Sequence, residues 1–413
     1  MKKYPKYKDS GVSWIGEIPE GWNSKRLKFS CNLVQEKTTD NALPYIALEN
    51  IESYSGRLLS INTSVPEGSC NLYRANDVLF SKLRPYLAKC VVAQTDGKCS
   101  SELLVLRNFE GDNKYLQYLM LSPKFIEYID SSTYGAKMPR ANWLFIGNSF
   151  IPLPSLSEQH AIVSYLDKKT EQIDRFVSEA EKEIEKLNEL KQAQIARMVT
   201  HGLNPNAPMK DSGVAWIGMI PEHWKVRKIS SHFKERRTKV SDKDYPALSV
   251  AREGVVPQLE TAVKTDNGDN RKLVLKNDFV VNSRSDRKGS CGVSDYDGSV
   301  SLISIVLEPR DIYPMYVHHL FRSNNYIEEF YRNGRGIVAD LWTTRYSEMK
   351  NIFIPIPPND EQQAIVSAIN SMSEKIDMLA TKLTAQIDNL RELKQRIISD
   401  AVTGKIDVRD RNN

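Results

Sequence analysis

The sequence lacks most of the signatures that chemistry leaves in a chain. No run of about 18 apolar residues occurs in its 413 residues, so nothing in it predicts a membrane-spanning helix. Met1-Lys2-Lys3-Tyr4-Pro5 has no apolar stretch behind its lysines, and no signal peptide is expected. The five cysteines (Cys31, Cys70, Cys90, Cys99, Cys291) are odd in number and lack paired metal-ligand spacing, so reduced thiols in a cytoplasmic protein are expected. No G-x-x-x-x-G-K-[ST] loop is present to cradle ATP phosphates, and Gly334-Arg335-Gly336 lacks the third glycine of a dinucleotide turn. No Asn-Pro-Pro-aromatic run of the kind amino-methyltransferases use occurs; Asn204-Pro205-Asn206 reads as a linker after a helix. Asp340 with Glu348 and Lys350 loosely matches a nuclease pattern, but Phe145 stands where Glu348 stands in the other half, and chance explains such spacing. His318 and His319, adjacent on a helix, point about 100° apart and make a poor metal pair. No catalytic residue and no metal site is expected. Neither sign of charge dominates: 57 Lys and Arg against 52 Asp and Glu leave a net charge of +5, which permits a polyanionic partner without demanding one.

What the chain does have is repetition. Lys8-Asp9-Ser10-Gly11-Val12-Ser13-Trp14-Ile15-Gly16-Glu17-Ile18-Pro19-Glu20 returns as Lys210-Asp211-Ser212-Gly213-Val214-Ala215-Trp216-Ile217-Gly218-Met219-Ile220-Pro221-Glu222, an offset of 202 residues. Trp22 and Trp224 close the two copies. At an offset of 203, Ile151-Pro152-Leu153-Pro154 with Glu158-Gln159 answers Ile354-Pro355-Ile356-Pro357 with Glu361-Gln362. Two copies of one unit predict a pseudo-twofold body, which suits a twofold-related target such as duplex DNA with two half-sites. The four repeated tryptophans could serve as base-stacking platforms, but their place beside Ile-Pro favours packing.

Each half ends in a long charged helix. Ile369, Ile376, Leu383, Leu390 and Ile397 recur every seven residues, and Leu166, Ile173, Ala180 and Leu187 hold the matching places in the first half. Met372, Leu379 and Leu393, three residues on, are expected to complete the second seam. Val177, Ile184, Leu190, Ile195 and Met198 flank the first. Proline precedes each helix (Pro154, Pro357) and glycine follows it (Gly202, Gly404). One such helix alone would expose its apolar stripe. The two are expected to pack on each other, with separate pairings to other proteins as the competing arrangement, and antiparallel packing is the orientation that relates the halves by a twofold axis.

The stretches between also match. Pro44–Leu48 answers Pro246–Val250, Asn76–Phe80 answers Asn277–Val281, and Leu103–Leu106 answers Leu302–Leu307, all apolar β-type runs. A helical stretch from Tyr115 to Ile129 answers one from Tyr316 to Phe330. The frame repeats while the residues between its landmarks diverge, as two readers of different sequences would.

Carried by both copies of the Asp-Ser-Gly-Val…Trp-Ile-Gly…Ile-Pro motif, the Ile-Pro-x-Pro…Glu-Gln entries to the helices, and Phe80-Ser81-Lys82-Leu83-Arg84-Pro85-Tyr86, the chain resembles the specificity subunits of type I restriction–modification systems over essentially its whole length. That resemblance implies two α/β (α+β) target recognition domains, tandemly duplicated and joined by two long helices forming an antiparallel coiled coil. It implies a motif segment and first recognition domain at 1–152, a first spacer helix at 153–203, a second motif segment and domain at 204–353, a second spacer helix at 354–404 and a tail at 405–413. It further implies a non-catalytic subunit that binds a bipartite site in double-stranded DNA and docks two modification subunits and, through them, restriction subunits. No cofactor is expected on this chain; S-adenosylmethionine, ATP and Mg belong to the partner subunits.

Reading bases requires donors that reach groove edges. Lys82, Arg84, Tyr86 and Lys89 in the first half, and Arg284, Arg287 and Lys288 in the second, cluster at the same point of the duplicated frame and are the leading DNA-binding candidates. Lys137 and Arg140, with Arg335 and Arg345, form a second rank on later loops. A specificity subunit of a methylation-only or phage-exclusion system would have the same sequence features. An autonomous nuclease or methyltransferase is disfavoured by the missing motifs, and a plain coiled-coil scaffold would leave the duplicated basic loops unexplained.

Overall fold

A computed structural model describes residues 2–59, 68–258, 268–284, 288–336 and 342–409. The chain divides into two compact units: Met1–Glu181 with Thr384–Asn413, and Lys182–Leu383. Both division points fall inside the long helices, Leu156–His201 and Asn359–Val402, so each unit contains a stretch of both.

The first unit is built on an antiparallel sheet in the order Asn32–Val34, Leu103–Arg107, Val78–Ser81, Cys90–Val92. The second unit repeats that order with Phe233–Glu235, Ser304–Pro309, Phe279–Asn282, Cys291–Val293. A smaller sheet accompanies each: Lys37–Thr38, Cys70–Tyr73, Gly97–Cys99 and Tyr45–Ile46 in the first, and Lys239–Val240, Arg271–Val274 and Gly298–Val300 in the second. The Ile-Pro-x-Pro segments are strands. Phe150–Leu153 pairs antiparallel with Asn23–Arg26, and Phe353–Ile356 with Lys225–Lys228, returning each unit's chain to its motif segment.

The helical stretches expected from Tyr115 and Tyr316 are each two helices. Asn113–Leu121 gives way to Pro123–Asp130, because Pro123 lacks an N–H and holds Ser122 extended. Pro314–Phe321 gives way to Asn324–Arg332, where the Ser323 hydroxyl caps the Tyr326 N–H.

In each unit the two helix stretches run in opposite directions. In the first, Asp174 meets Lys394 at 2.6 Å and Glu181 meets Arg391 at 2.8 Å, one number rising as the other falls. In the second, Lys191 meets Asp377 at 2.7 Å, while Gly202 lies beside Glu361. Leu166, Ile173, Ile369, Ile376 and Ile397 are buried, and Leu187, Leu383 and Leu390 are partly so. The companion row departs from the expected one in part: Met372 and Leu393 are partly buried against the cores as expected, but the row breaks between them. Leu379 is 49% exposed, as is Leu190 at 48%, whereas Ile387 and Ala401 are buried. Beyond Leu379 the seam also takes in residues four after the Ile369–Ile397 row, since a d position is followed by the next a position at four. That row places Lys394 in the seam, 8% exposed, with Asp174 as its counter-charge.

The repeated motifs pack the globular parts onto the helices. Trp22 and Trp224 are buried and donate their indole N–H groups to Glu158 (3.2 Å) and Glu361 (3.0 Å). Trp14 packs edge-on against Phe125, and Trp216 against Tyr326. The Gln159 carbonyl oxygen accepts from the Asp112 N–H and its amide donates to Pro154 O; Gln362 repeats this with Tyr313 and Pro357. The helices end at Gly202 (φ +73°) and Gly404 (φ +71°), in the left-handed conformation that a side chain resists.

Candidate nucleic-acid interface

The strand Val78–Ser81 delivers the first basic loop, and a fixed turn aims it. Asn76 adopts φ +71°, Asp77 accepts from the Arg74 N–H, and the Arg107 guanidinium grips Asp77 through Nε and Nη2 at 2.9 and 2.8 Å. Beyond the strand, Ser81 Oγ donates to Leu83 O, and the short turn Pro85–Leu87 is flanked by Arg84 (φ +48°) and Ala88 (φ +44°). Two non-glycine residues in the left-handed region mark a loop whose shape is dictated by its surroundings. Those surroundings include the later loop. The Arg84 N–H donates to Pro139 O (2.7 Å) and the Ala141 N–H to Lys82 O (2.9 Å). Tyr134 and Arg140 exchange backbone hydrogen bonds, closing residues 134–140 into a hairpin.

The second unit makes the same join. Asn277 has φ +71°, Asp278 accepts from the Leu275 N–H, and the Thr344 N–H donates to Ser283 O (3.2 Å). Arg335 and Thr343 exchange backbone hydrogen bonds at 2.9 and 3.0 Å. In both units the leading loop and the later loop, 53 residues apart between Arg84 and Lys137, form one surface.

Residues 8–188 match the family model described as the type I restriction modification DNA specificity domain. Those residues carry a DNA specificity domain of the type I restriction–modification family. The chain is 24% identical to the EcoDI specificity subunit of Escherichia coli over 44% of this chain and 42% of that one. It is 26% identical to the MjaVIII specificity subunit of Methanocaldococcus jannaschii over 73% of each. A solved chain from a type I R-M system shares the fold with a TM-score of 0.69 at 18% identity, over 94% of this chain and 99% of that one. The matched specificity domain covers the first repeat, and the internal duplication carries the same frame through the second.

Within the specificity domain, the candidate cations separate into two groups. Lys137 is exposed and Lys82 and Arg84 are partly so; among the described residues the Arg84 side chain donates only to Lys137 O, at 3.4 Å. Tyr86 is 43% exposed, its carbonyl held by the Tyr54 hydroxyl. Lys89 instead donates to Leu48 O at 2.7 Å, and burial lowers its pKa. Arg140 is committed to Glu102, with Nε and Nη2 on the carboxylate at 2.9–3.2 Å, an ion pair that raises its pKa and braces the hairpin. In the second repeat Arg284, Lys288, Arg335 and Arg345 are exposed. Lys288 pairs with Glu328 (2.9 Å) over the Tyr331 ring, and Arg335 lies 3.7 Å from Glu348. Arg287, and Asp340 of the nuclease-like pattern, lie outside the described residues.

Of the exposed apolar residues of this surface, Met138 (43%) lies in the second-rank candidate loop 137–142, while Tyr134 (62%) was not among the sequence candidates. The signal for them was Tyr134-Gly135-Ala136-Lys137-Met138-Pro139-Arg140, in which Gly and Pro frame a turn. Elsewhere, His318 Nδ1 accepts from the Val293 N–H, and burial with Arg322 nearby lowers the pKa of His318 to about 3 and of His319 to about 4. Burial pushes the thiols of Cys31, Cys99 and Cys291 up to about 12, so they stay protonated at neutral pH. Among the described residues no helix is long and apolar enough to cross a membrane.

Proposed function

We propose that this chain is the non-catalytic DNA-specificity subunit of a type I restriction–modification complex. It reads an asymmetric bipartite site in double-stranded DNA, one half-site for each recognition region, 1–152 and 204–353. The observation that carries the reading is the duplicated surface: in each unit a cation-bearing loop after the Asn-Asp turn joins a second cation-bearing loop. Lys82, Arg84, Tyr86 and Lys137 in the first unit, and Arg284 and Arg345 in the second, are the side chains exposed to meet phosphates and base edges, and Lys288 and Arg335 join them by giving up their surface ion pairs with Glu328 and Glu348. Lys89 and Arg140 shape that surface from behind. The two long helices act as one antiparallel coiled coil that spaces the readers and docks two modification subunits, which bring adenine methylation with S-adenosylmethionine. Restriction subunits bring ATP- and Mg-dependent translocation and cleavage. The complex works in the cytoplasm.

A domain exchange tests this. Replacing residues 23–150 with the corresponding region of another specificity subunit, in complex with the modification subunit, should change one half of the methylated motif and leave the other intact. Methylome sequencing reads the result, and a change in both halves would overturn the modular reading.

A further inference from the structure

We infer that the Tyr134–Arg140 hairpin is a preorganised probe that enters a groove of the first half-site, where Met138 makes apolar contact with bases while Lys137 binds a flanking phosphate. The inference rests on the DNA-specificity reading and adds to it a mode of recognition that needs no hydrogen bond. Large apolar side chains left in water on a surface otherwise rich in cations are the feature that points to it. Tyr134 is 62% exposed, Met138 43% and Tyr86 43%, and the cations among them are Lys82, Arg84 and Lys137. The positive charge selects a polyanion, and the apolar tip selects the part of that polyanion that is apolar. In duplex DNA that part is the thymine methyl groups and the faces of a base step, both reached through a groove.

The base of the hairpin is rigid while its tip is free. Tyr134 and Arg140 exchange backbone hydrogen bonds at 3.2 and 3.0 Å. Arg140 is clamped to Glu102 in the turn before the central strand Leu103–Arg107. The Arg84 N–H holds Pro139 O, and the Arg84 side chain and Arg140 Nη1 reach the Lys137 and Met138 carbonyls at 3.4 Å. The tip, Gly135 to Met138, is exposed throughout. A probe held this way loses little conformational freedom on binding, so the apolar area it buries appears largely as affinity. A charge at the tip without apolar neighbours would bind all sequences alike. Met138 gives the same hairpin a means to discriminate.

The test uses the chain assembled with its modification subunit and a duplex carrying the split motif that the complex methylates, with anisotropy titrations at several salt concentrations. Met138→Ala should weaken binding to the motif about tenfold, leave binding to unrelated duplex unchanged, and leave the slope of log K against log[salt] unchanged. Met138→Leu should retain the discrimination, and Met138→Gln should lose it. Lys137→Ala should weaken both duplexes and lower the slope by about 0.9. An unchanged melting temperature for Met138→Ala would confirm that folding is intact. A motif-to-unrelated ratio within twofold of wild type for Met138→Ala overturns the probe. A wild-type complex that methylates no split motif overturns the specificity reading itself, before any variant is compared.

Discussion

Tyr115 and Tyr316 hold equivalent places in the two repeats, and removing either hydroxyl should destabilise its own unit by a similar amount. Both rings are fully buried, and burial drives both phenols far above their ordinary pKa, so each remains a neutral donor. Tyr115 Oη lies 3.0 Å from Pro152 O and 3.2 Å from Val402 O. Tyr316 Oη lies 3.2 Å from Pro355 O and 2.9 Å from Val199 O. The Val402 and Val199 carbonyls belong to the last turn of a long helix, where intrahelical donors run out. One hydroxyl thus ties the Ile-Pro-x-Pro strand, the recognition region and a helix end together. Phe in its place leaves two carbonyls facing a dry space, which costs about 1–3 kcal/mol. For a unit of about 200 residues, each kcal/mol lowers the melting temperature by roughly 2–4 °C, so Tyr115→Phe and Tyr316→Phe should each lose on the order of 6 °C. The tyrosines share no partner, so the double variant should lose about the sum in free energy. Differential scanning calorimetry on the two single variants and the double decides it. A shift below about 1 °C in either single variant would mean that water reaches those carbonyls and that the hydroxyl is not the tie.

The helix-ending glycines should respond unequally to Ala, although both have positive φ. A Cβ on Gly404 would lie 2.4 Å from the Pro19 ring, whereas on Gly202 the nearest atom, at 3.0 Å, is the end of the flexible Glu361 side chain. Gly404→Ala should therefore lower the melting temperature more than Gly202→Ala, and equal losses would show that left-handed strain alone is at work. The buried His318 and His319 predict an acid-side loss of stability. Their folded pKa values, about 3 and about 4, lie below the ordinary 6.5, so the unfolded chain takes up protons first as pH falls. Their contribution is fully present above pH 6.5 and drains from there down to about pH 4 for His319 and about pH 3 for His318, with a limiting slope of about 2.7 kcal/mol per pH unit for two protons. Melting curves of wild type and a His318→Gln, His319→Gln variant across pH 4–8 read this, and parallel profiles would refute it.

What the sequence made legible was whatever depends on neighbours close along the chain. The long helices showed in their seven-residue period, their ends in Gly202 and Gly404, and the duplicated sheets in matching apolar runs. The companion seam row held at Met372 and Leu393 and failed at Leu379, because spacings of three and four both fit a heptad until a partner helix is present. Burial of Ile387 and exposure of Leu379 then settle it. At the candidate interface, sequence singled out the basic loops but not the partners of each cation. Glu102, which claims Arg140, lies 38 residues away, and Leu48, which claims Lys89, lies 41 away. No periodicity reports a bond between residues so far apart.

The Asn-Asp turns show where that division falls. Asn76-Asp77 and Asn277-Asp278 shape the same turn in both halves, with asparagine at φ +71° and the aspartate accepting from the N–H three residues back; these are local events that the sequence itself determines. The guanidinium that neutralises each buried aspartate comes from different places. Arg107 closes the central strand of the first unit, while Arg236 follows the edge strand Phe233–Glu235 of the second, at 2.7 and 3.1 Å from Asp278. Residue identity selects between those positions, since Glu308 stands where Arg107 does and Val34 where Arg236 does. Antiparallel pairing brings both strands beside the turn, and a buried carboxylate needs one cation within reach, whichever strand supplies it. The meeting of each arginine with its aspartate, 30 residues away in one half and 42 in the other, was left to the tertiary structure.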